Sequence, residues 1–188
     1  MKTILYVTSN NGKFLEVERY IKRHVPEINL VQANIDIEEI QSMDQYAVAM
    51  DKAQKAWDQL KAPLLIDDSG IYFNRWHQFP GVLTKFIYKS LGMDGLKRLI
   101  DEGDTGFFRL WLVYADETGT LHPFEGRCDG QLTTDYRGDA HAELPYDLLF
   151  KPEGLDKTYA EIRLDPAYEN YFYRLRALQA FLTWFKQA

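Results

Sequence analysis

Two neighbouring carboxylates, Asp67 and Asp68, follow directly on the apolar run Leu64-Leu65-Ile66 and stand before Ser69 and Gly70. Adjacent acids repel each other and lose hydration on partial burial, so they persist at a strand end where a cation or many hydrogen bonds compensate them. We therefore predict a divalent-metal site at a turn that ends a short buried strand. The alternative is a solvated corner in which the polar residues only satisfy backbone groups.

A second polar turn, Thr8-Ser9-Asn10-Asn11-Gly12-Lys13, lies between an apolar stretch and an amphipathic one. If a strand ends and a helix begins here, the amides and hydroxyls of the turn converge on one point, and Lys13 adds a full positive charge. Phosphate is the anion that suits such a turn. The turn is not the common P-loop, because Phe14 stands where that motif requires Ser or Thr. The alternative is an Asn-Gly turn that only caps the helix.

The chain of 188 residues carries a formal net charge of −6 and a single cysteine, Cys128. The negative charge argues against a nucleic acid polymer as partner, because such binding rests on clustered Lys and Arg. A lone cysteine indicates a reducing compartment and argues against a disulfide-stapled fold. No stretch approaches the ~18 apolar residues of a membrane span. We therefore expect a cytoplasmic protein that binds no membrane.

The hydrophobic pattern predicts strands that alternate with helices in the first half of the chain and a hairpin later. Strands are predicted at 3–7, about 30–37, 64–66, 107–115 and 120–132. Helices are predicted after residue 13, at about 44–60, after residue 81 with a break at Gly92, and at about 166–186. This order predicts an α/β fold in which a mixed, twisted sheet is flanked by helices.

The two polar turns belong to the same predicted edge of the sheet. Open α/β sheets bind ligands at the carboxyl ends of their strands, and both the Thr8 turn and the Asp67-Asp68 pair lie at such ends. Phosphate donors and metal-binding acids would then face one cleft. Glu39 ends the strand between them, and Lys52 lies on the next helix, where it either reaches a phosphate or stays a solvated surface residue.

Several separated segments together resemble one family, the inosine triphosphate pyrophosphatases, over nearly the whole chain. The matching segments are Val7–Lys13 with Glu16, Leu65–Gly70, Phe79–Gly81, Phe124–Arg127 with Gly130, Arg137–Gly138 and Lys157–Glu161. Members of that family hydrolyse deaminated purine nucleoside triphosphates to the monophosphate and pyrophosphate. The resemblance implies a single nucleoside triphosphate pyrophosphatase-like domain over residues 1–188, with two lobes around a central cleft, and a homodimer.

The resemblance also implies roles for individual residues. The triphosphate would be held by Thr8, Ser9, Asn10, Lys13, Lys52 and Ser69. Glu39 and Asp68 would bind Mg²⁺, with Mn²⁺ as the alternative ion, and Asp67 would be an accessory acid. Asp68 would orient or deprotonate the water that attacks the α-phosphorus, and Lys13 would stabilise charge on the phosphoryl oxygens.

The base side of the site departs from the family pattern. Leu144-Pro145-Tyr146-Asp147-Leu148 stands where the family has an aromatic Phe-Gly-Tyr/Trp-Asp-Pro segment, and Phe172-Tyr173-Arg174 stands where it has Ser-His-Arg. Tyr168 matches the family's preceding lysine. The candidate substrate contacts on this side are Tyr146, Asp147, Tyr173 and Arg174. Because a 6-keto oxygen needs hydrogen-bond donors, loss of a His and a Lys predicts weaker discrimination against adenine.

Two other functions stay open at this level. One is a nucleotide-binding regulatory protein that keeps the fold without turnover, in which Asp67 and Asp68 form a structural pair. The other is a pyrophosphatase for pyrimidine or methylated nucleotides.

Overall fold

The structure is a computed structural model that describes residues 2–77, 79–141, 144–163 and 165–187. Its strands are β1 (Lys2–Val7), β2 (Ile28–Ala33), β3 (Leu64–Phe73), β4 (Phe79–Pro80), β5 (Thr105–Ala115), β6 (Leu121–Leu132) and β7 (Phe150–Pro152). Its α-helices are α1 (Asn11–His24), α2 (Gln45–Leu60), α3 (Thr84–Lys97), α4 (Tyr159–Ile162) and α5 (Tyr173–Phe185). Short 3₁₀ helices span Asn74–Trp76, Gly81–Leu83, Pro145–Leu148 and Pro166–Tyr171.

The strands of the described residues form one mixed sheet in the order β2-β1-β3-β5-β6-β7, with β4 paired to β3. β1 runs parallel to both β2 and β3. β4 is antiparallel to β3, and β7 is antiparallel to β6. The predicted α/β class, with a mixed sheet and flanking helices, is therefore confirmed.

The chain divides into two compact units. The first unit comprises Met1–Asp68, Leu110–Gly126 and Arg174–Ala188, and the second comprises Ser69–Arg109 and Arg127–Tyr173. Strands β3, β5 and β6 each contribute residues to both units. A single domain over residues 1–188 and a central cleft stay predictions.

In the first unit, helix α2 packs on the sheet through small residues. Ala49, Ala53 and Ala56 recur at a spacing of three and four residues and are at most 1% exposed. They form a buried cluster with Val7 of β1, Leu64 and Ile66 of β3, and Val113 and Ala115 of β5. Small side chains on one helical face permit close approach to the strands, so α2 is held at a fixed place beside β3.

In the second unit, the core is mostly aromatic. Phe108 of β5 stacks on Tyr173 at a centroid distance of 4.8 Å and meets Phe150 of β7 edge-on at 4.9 Å. Tyr159 of α4 lies 5.0 Å from Phe150 and 4.8 Å from Phe172. These offset and edge-to-face pairs are the favoured arrangements of aromatic rings, and they explain part of the high aromatic content.

The prediction of a turn at Asp67-Asp68 is wrong, because β3 continues through both acids to Phe73. Tertiary pairing extends the strand: Tyr72 and Phe73 pair with Pro80 and Phe79 of β4. Gly70 serves a close backbone approach instead of a turn, since a Cβ at that position would lie 2.4 Å from the carbonyl oxygen of Gly81.

Two other predicted boundaries are wrong for similar reasons. β2 spans Ile28–Ala33 and stops where its partner β1 ends, at the pair Val7–Ala33, so Glu39 lies in the following irregular segment and not at a strand end. The predicted helix at 166–186 is a 3₁₀ helix followed by α5, because Phe172 between them is extended. The predicted break at Gly92 is confirmed by its positive φ of 61°.

In the part of the chain that the structure describes, no helix combines the length and the apolar character needed to cross a bilayer.

Candidate active site

The β1–α1 turn is ordered by its own side chains. The Asn10 side chain caps α1 by accepting a hydrogen bond from the backbone N–H of Lys13 at 2.7 Å. The Thr8 hydroxyl accepts from the backbone N–H of Asn10 at 3.1 Å, and the Ser9 side chain is exposed. Backbone N–H groups at a helix N-terminus are the usual donors to an anion. The turn therefore presents a capped helix N-terminus next to the Lys13 ammonium.

Lys13 is bound by Asp67, which lies on β3, the strand next to β1. Its Nζ atom is 2.6 Å from Oδ1 of Asp67, and the carboxylate side chain is only 3% exposed. The other oxygen, Oδ2, accepts from Nε of Arg174 at 3.2 Å and from the hydroxyl of Tyr6. Burial raises the pKa of Asp67, but the charges of Lys13 and Arg174 more than offset that effect and hold it well below its usual range.

Tyr6 is the last but one residue of β1 and is fully buried. Burial, reinforced by the Asp67 charge, raises the pKa of Tyr6 well above its ordinary value. The hydroxyl therefore stays protonated at neutral pH and donates to the carboxylate. Both oxygens of Asp67 are thus engaged by donors from β1, α1 and α5.

The second acid of the pair, Asp68, has a different environment. Lys52 of α2 lies between two carboxylates, with Nζ 2.9 Å from Oε1 of Glu39 and 3.5 Å from Oδ1 of Asp68. Burial lowers the pKa of Lys52, but the charges of Asp68 and Glu39 outweigh it and the pKa is raised. Lys52 is therefore charged, and it is shared by the two acids instead of being paired with one.

Oδ2 of Asp68 is buried and has no hydrogen-bond partner among the described residues. Burial raises the pKa of Asp68, and the neighbouring Glu39 charge raises it further, although Lys52 and Lys13 act in the opposite direction. A buried carboxylate oxygen without a donor is costly. Its presence points to a cationic or hydrogen-bonding ligand that completes the site.

The residues present fit a divalent metal ion. Glu39 and Asp68 supply two carboxylates, and no group of three or more His, Cys, Asp or Glu side chains is arranged around one metal in the described ranges. Mg²⁺ is usually held by one or two carboxylates and completes its coordination with water and substrate phosphate. The open Oδ2 of Asp68 is the donor that such an ion would engage.

The first unit brings together most of the predicted phosphate and metal residues, namely Lys13, Glu39, Lys52, Asp67 and Asp68. Arg174, predicted on the base side, also lies in this unit and is 1% exposed. Its Nη1 atom is 2.6 Å from Oε2 of Glu16, and its Nε atom bonds Asp67. Arg174 thus links the start of α5 to Glu16 of α1 and to Asp67 of β3.

The remaining predicted residues belong to the second unit. The Tyr146 hydroxyl donates to the carbonyl oxygen of Thr84 at 2.8 Å, and Asp147 forms a buried ion pair with Arg163. Tyr173 stacks on Phe108 in the aromatic core described above. Ser69 follows Asp68 in β3 and is partly exposed. Their predicted contacts with substrate stay predictions.

Two residues of the site were missed by sequence reasoning. One is Tyr6, whose hydroxyl in the apolar run Ile4-Leu5-Tyr6-Val7 was the signal, since a buried phenol needs an acceptor. The other is Gln45, fully buried at the start of α2, whose Nε2 donates to the carbonyl oxygen of Asp68 at 3.3 Å. Its helix-starting position gave no chemical signal.

Fold and site together define an α/β protein in which a capped β1–α1 turn lies beside a carboxylate pair. Its fold is that of solved Ham1 proteins. The structure of a HAM1 protein from Coxiella burnetii matches with a TM-score of 0.79 at 24% identity over 100% of both chains. The Staphylococcus aureus Ham1 protein matches with a TM-score of 0.74 at 19% identity over 99% of both chains.

The model of the Ham1 family matches residues 4–184, and the chain belongs to this family. It is 32% identical to a dITP/XTP pyrophosphatase of Thermococcus kodakarensis, over 98% of this chain and 97% of that protein. It is also 32% identical to inosine triphosphate pyrophosphatase 2 of Trypanosoma cruzi, over 85% of this chain and 81% of that protein. The resemblance inferred from the sequence motifs is confirmed at the level of the family.

Proposed function

We propose that this protein hydrolyses a nucleoside triphosphate to the monophosphate and pyrophosphate, and that its substrates are deaminated purine nucleotides such as ITP, dITP and XTP. The names of its full-length relatives support the reaction and the substrate class. The observation on this chain that carries the proposal is the buried, unpartnered Oδ2 of Asp68 beside Glu39, Lys52 and Lys13.

The phosphate side of the proposal uses the first unit. The N-terminal amides of α1, with Lys13 and Lys52, would bind the triphosphate oxygens and stabilise the negative charge that moves onto the leaving pyrophosphate. Thr8 and Asn10 would keep the turn in the shape that aims those amides at the phosphates, because Thr8 accepts from the Asn10 N–H and Asn10 accepts from the Lys13 N–H. Ser9 and Ser69 would add hydroxyl donors.

Asp68 would orient the attacking water and take its proton. Burial and the Glu39 charge, which raise its pKa, make it a stronger base than an exposed carboxylate. Glu39 and Asp68 would hold Mg²⁺, with Mn²⁺ as the alternative. When bound, that ion supplies positive charge to the phosphoryl oxygens and lowers the pKa of water.

Asp67 enters the proposal as the counter-ion of Lys13, since both of its oxygens bind protein donors. Tyr146, Asp147 and Tyr173 stay the candidates for contact with the base. Because the family's His and Lys donors are absent, we expect a smaller preference for 6-keto purines over adenine than a site with those donors would give.

A substrate panel tests the proposal. The protein is incubated with Mg²⁺ and ITP, XTP, dITP, ATP, GTP, UTP or dTTP, and pyrophosphate and the nucleoside monophosphate are both measured. We expect equimolar release of the two products, fastest with ITP or XTP. The Asp68→Asn variant serves as the matched control for contaminating activity.

Other outcomes identify other functions. Binding of a nucleotide without release of pyrophosphate would indicate a nucleotide-binding protein without turnover. A preference for UTP or dTTP would indicate a pyrophosphatase for pyrimidine nucleotides.

We also propose that the protein works as a homodimer in the cytoplasm, where nucleoside triphosphates are present. Light scattering coupled to size-exclusion chromatography measures the mass in solution. A mass near 44 kDa, about twice that of the 22.0 kDa chain, supports the dimer, and a mass near 22 kDa excludes it.

A further inference from the structure

Tyr6 is a buried polar residue that the proposed reaction does not use directly. Its ring is 0% exposed in β1, and its hydroxyl donates to Oδ2 of Asp67. Phenylalanine would fill the same volume without bringing an oxygen into the core. The hydroxyl therefore calls for a reason that lies in its hydrogen bond rather than in packing.

The geometry of Asp67 gives that reason. A carboxylate is planar, so fixing one oxygen fixes the direction in which the other points. Oδ2 is held by the Tyr6 hydroxyl and by Nε of Arg174 at 3.2 Å, and Oδ1 then faces Nζ of Lys13 at 2.6 Å. Without the Tyr6 hydroxyl, Oδ2 would keep only the hydrogen bond from Nε of Arg174. The carboxylate could then rotate about its Cβ–Cγ bond.

Lys13 depends on that fixed oxygen. Its side chain carries several rotatable bonds, is 20% exposed and has its ammonium anchored on Asp67. A lysine that must be ordered on binding loses side-chain entropy, whereas one that is already held does not. The backbone of Lys13 is fixed by the Asn10 cap, so the tether at Asp67 determines where the charged end lies.

We propose that Tyr6 is a positioning residue that acts through Asp67 to hold the Lys13 ammonium where it meets a polyphosphate. This inference rests on the proposed function, because it assigns Lys13 to the phosphates of the substrate. It extends that function to a hydroxyl that touches neither substrate nor metal.

The test removes the hydroxyl alone. The Tyr6→Phe variant keeps the ring and is compared with Tyr114→Phe, a matched control in the first unit whose ring packs on Phe181 and Phe185. Calorimetry measures the Kd of inorganic tripolyphosphate in the presence of Mg²⁺. We expect binding to weaken about fivefold in Tyr6→Phe, the size of one typical net hydrogen bond, and to change less than about twofold in the control.

A double-mutant cycle separates positioning from general destabilisation. Because the effect of Tyr6 passes through Lys13, adding Tyr6→Phe to Lys13→Ala should weaken tripolyphosphate binding no further. Additive losses would overturn the proposal, and so would wild-type affinity in Tyr6→Phe.

Two further measurements keep this inference distinct from the proposed function. If the wild type binds tripolyphosphate but hydrolyses no nucleotide, the proposed function fails while the cycle still decides the role of Tyr6. Crystal structures of the wild type and Tyr6→Phe give a readout that needs no ligand. A Lys13–Asp67 contact that stays unchanged in the variant would overturn the proposal, and a displaced or disordered ammonium supports it.

Discussion

Asp67 and Asp68 are neighbours in one strand but have opposite environments. Successive side chains of a strand point to opposite faces of the sheet, so the two carboxylates meet different elements. Asp67 is bound at both oxygens, and the charges of Lys13 and Arg174 hold its pKa low despite burial. Asp68 shares one lysine with Glu39, leaves Oδ2 open, and has its pKa raised by burial.

Two acids that are adjacent in a sequence therefore need not act together. Asp67 has the properties of a structural counter-ion, because removing its charge would take the carboxylate away from Lys13 and leave Arg174 with Glu16 alone among the acids described above. Asp68 has the properties of a reactive group, because its charge is only partly compensated. The comparison predicts that the same substitution at the two positions has different effects on stability and on turnover.

The largest effect is expected for Asp67→Asn on stability. The amide cannot neutralise Lys13 and Arg174, and breaking a buried ion pair from one side costs about 3–5 kcal/mol. Urea denaturation measures the free energy of unfolding. The control is Asp58→Asn, which removes an exposed ion pair with Lys61 and should change the free energy of unfolding far less. Equal losses in the two variants would contradict the role of Asp67 as a buried counter-ion.

Asp68→Asn should leave stability unchanged or increased and abolish turnover. An amide in place of a partly uncompensated buried carboxylate removes an electrostatic cost, so unfolding should not become easier. Loss of one catalytic electrostatic group removes about 3 kcal/mol of transition-state stabilisation, a rate loss of at least ~100-fold. Steady-state pyrophosphate release measures it. Near-normal kcat in a folded Asp68→Asn protein would remove Asp68 from the mechanism.

Lys13→Ala tests the phosphate-binding role of Lys13, the ion-pair partner of Asp67. If Lys13 binds phosphates, the loss of affinity should grow from nucleoside monophosphate to diphosphate to triphosphate, reaching about tenfold or more for the triphosphate. Competition against a fluorescent nucleotide gives the three affinities. An equal loss for all three, or for the nucleoside itself, would point to a folding defect instead.

Asp116→Asn shows what hydrogen bonds alone do for a carboxylate. Burial raises the pKa of Asp116, but hydrogen bonds with the Thr118 hydroxyl, the His122 ring and the backbone N–H groups of Thr118 and Thr120 lower it well below its usual range. A depressed pKa contributes stability above the unfolded pKa of about 4, and this stability is lost as the pH falls.

At pH 7 the variant should therefore have a free energy of unfolding about 1 kcal/mol lower than the wild type. Its Tm should be lower accordingly. The difference should shrink below about pH 4. Thermal melts at pH 7, 5 and 3 measure it. A difference that stays constant across the three pH values would show that the charge of Asp116 has no part in stabilising the hairpin turn.

Sequence reasoning found the family, because its motifs depend on local residue types. Asn10 before α1 and the small residues of α2 are local signals of this kind. The extent of β3 was missed because its continuation past Asp68 depends on pairing with β4, which lies outside the local pattern. The same holds for the end of β2, which is set by where β1 stops.

The partners of the acids were harder to predict than the acids themselves. Tyr6 and Asp67 are 61 residues apart, and Arg174 and Glu16 are 158 apart. Only the folded sheet and the docking of α5 bring them into contact. The resemblance gave Arg174 a place near the base, and the structure shows it bonded to two acids of the first unit.

Lys52 has a consequence for how the site is assembled. Its ammonium lies between Glu39, on an irregular segment, and Asp68, on β3, and compensates part of their combined charge. The lysine therefore reduces the repulsion between the two acids in protein that holds no divalent ion. We expect chelator-treated protein to keep its fold and its thermal stability, in contrast to small domains that unravel once their metal is stripped.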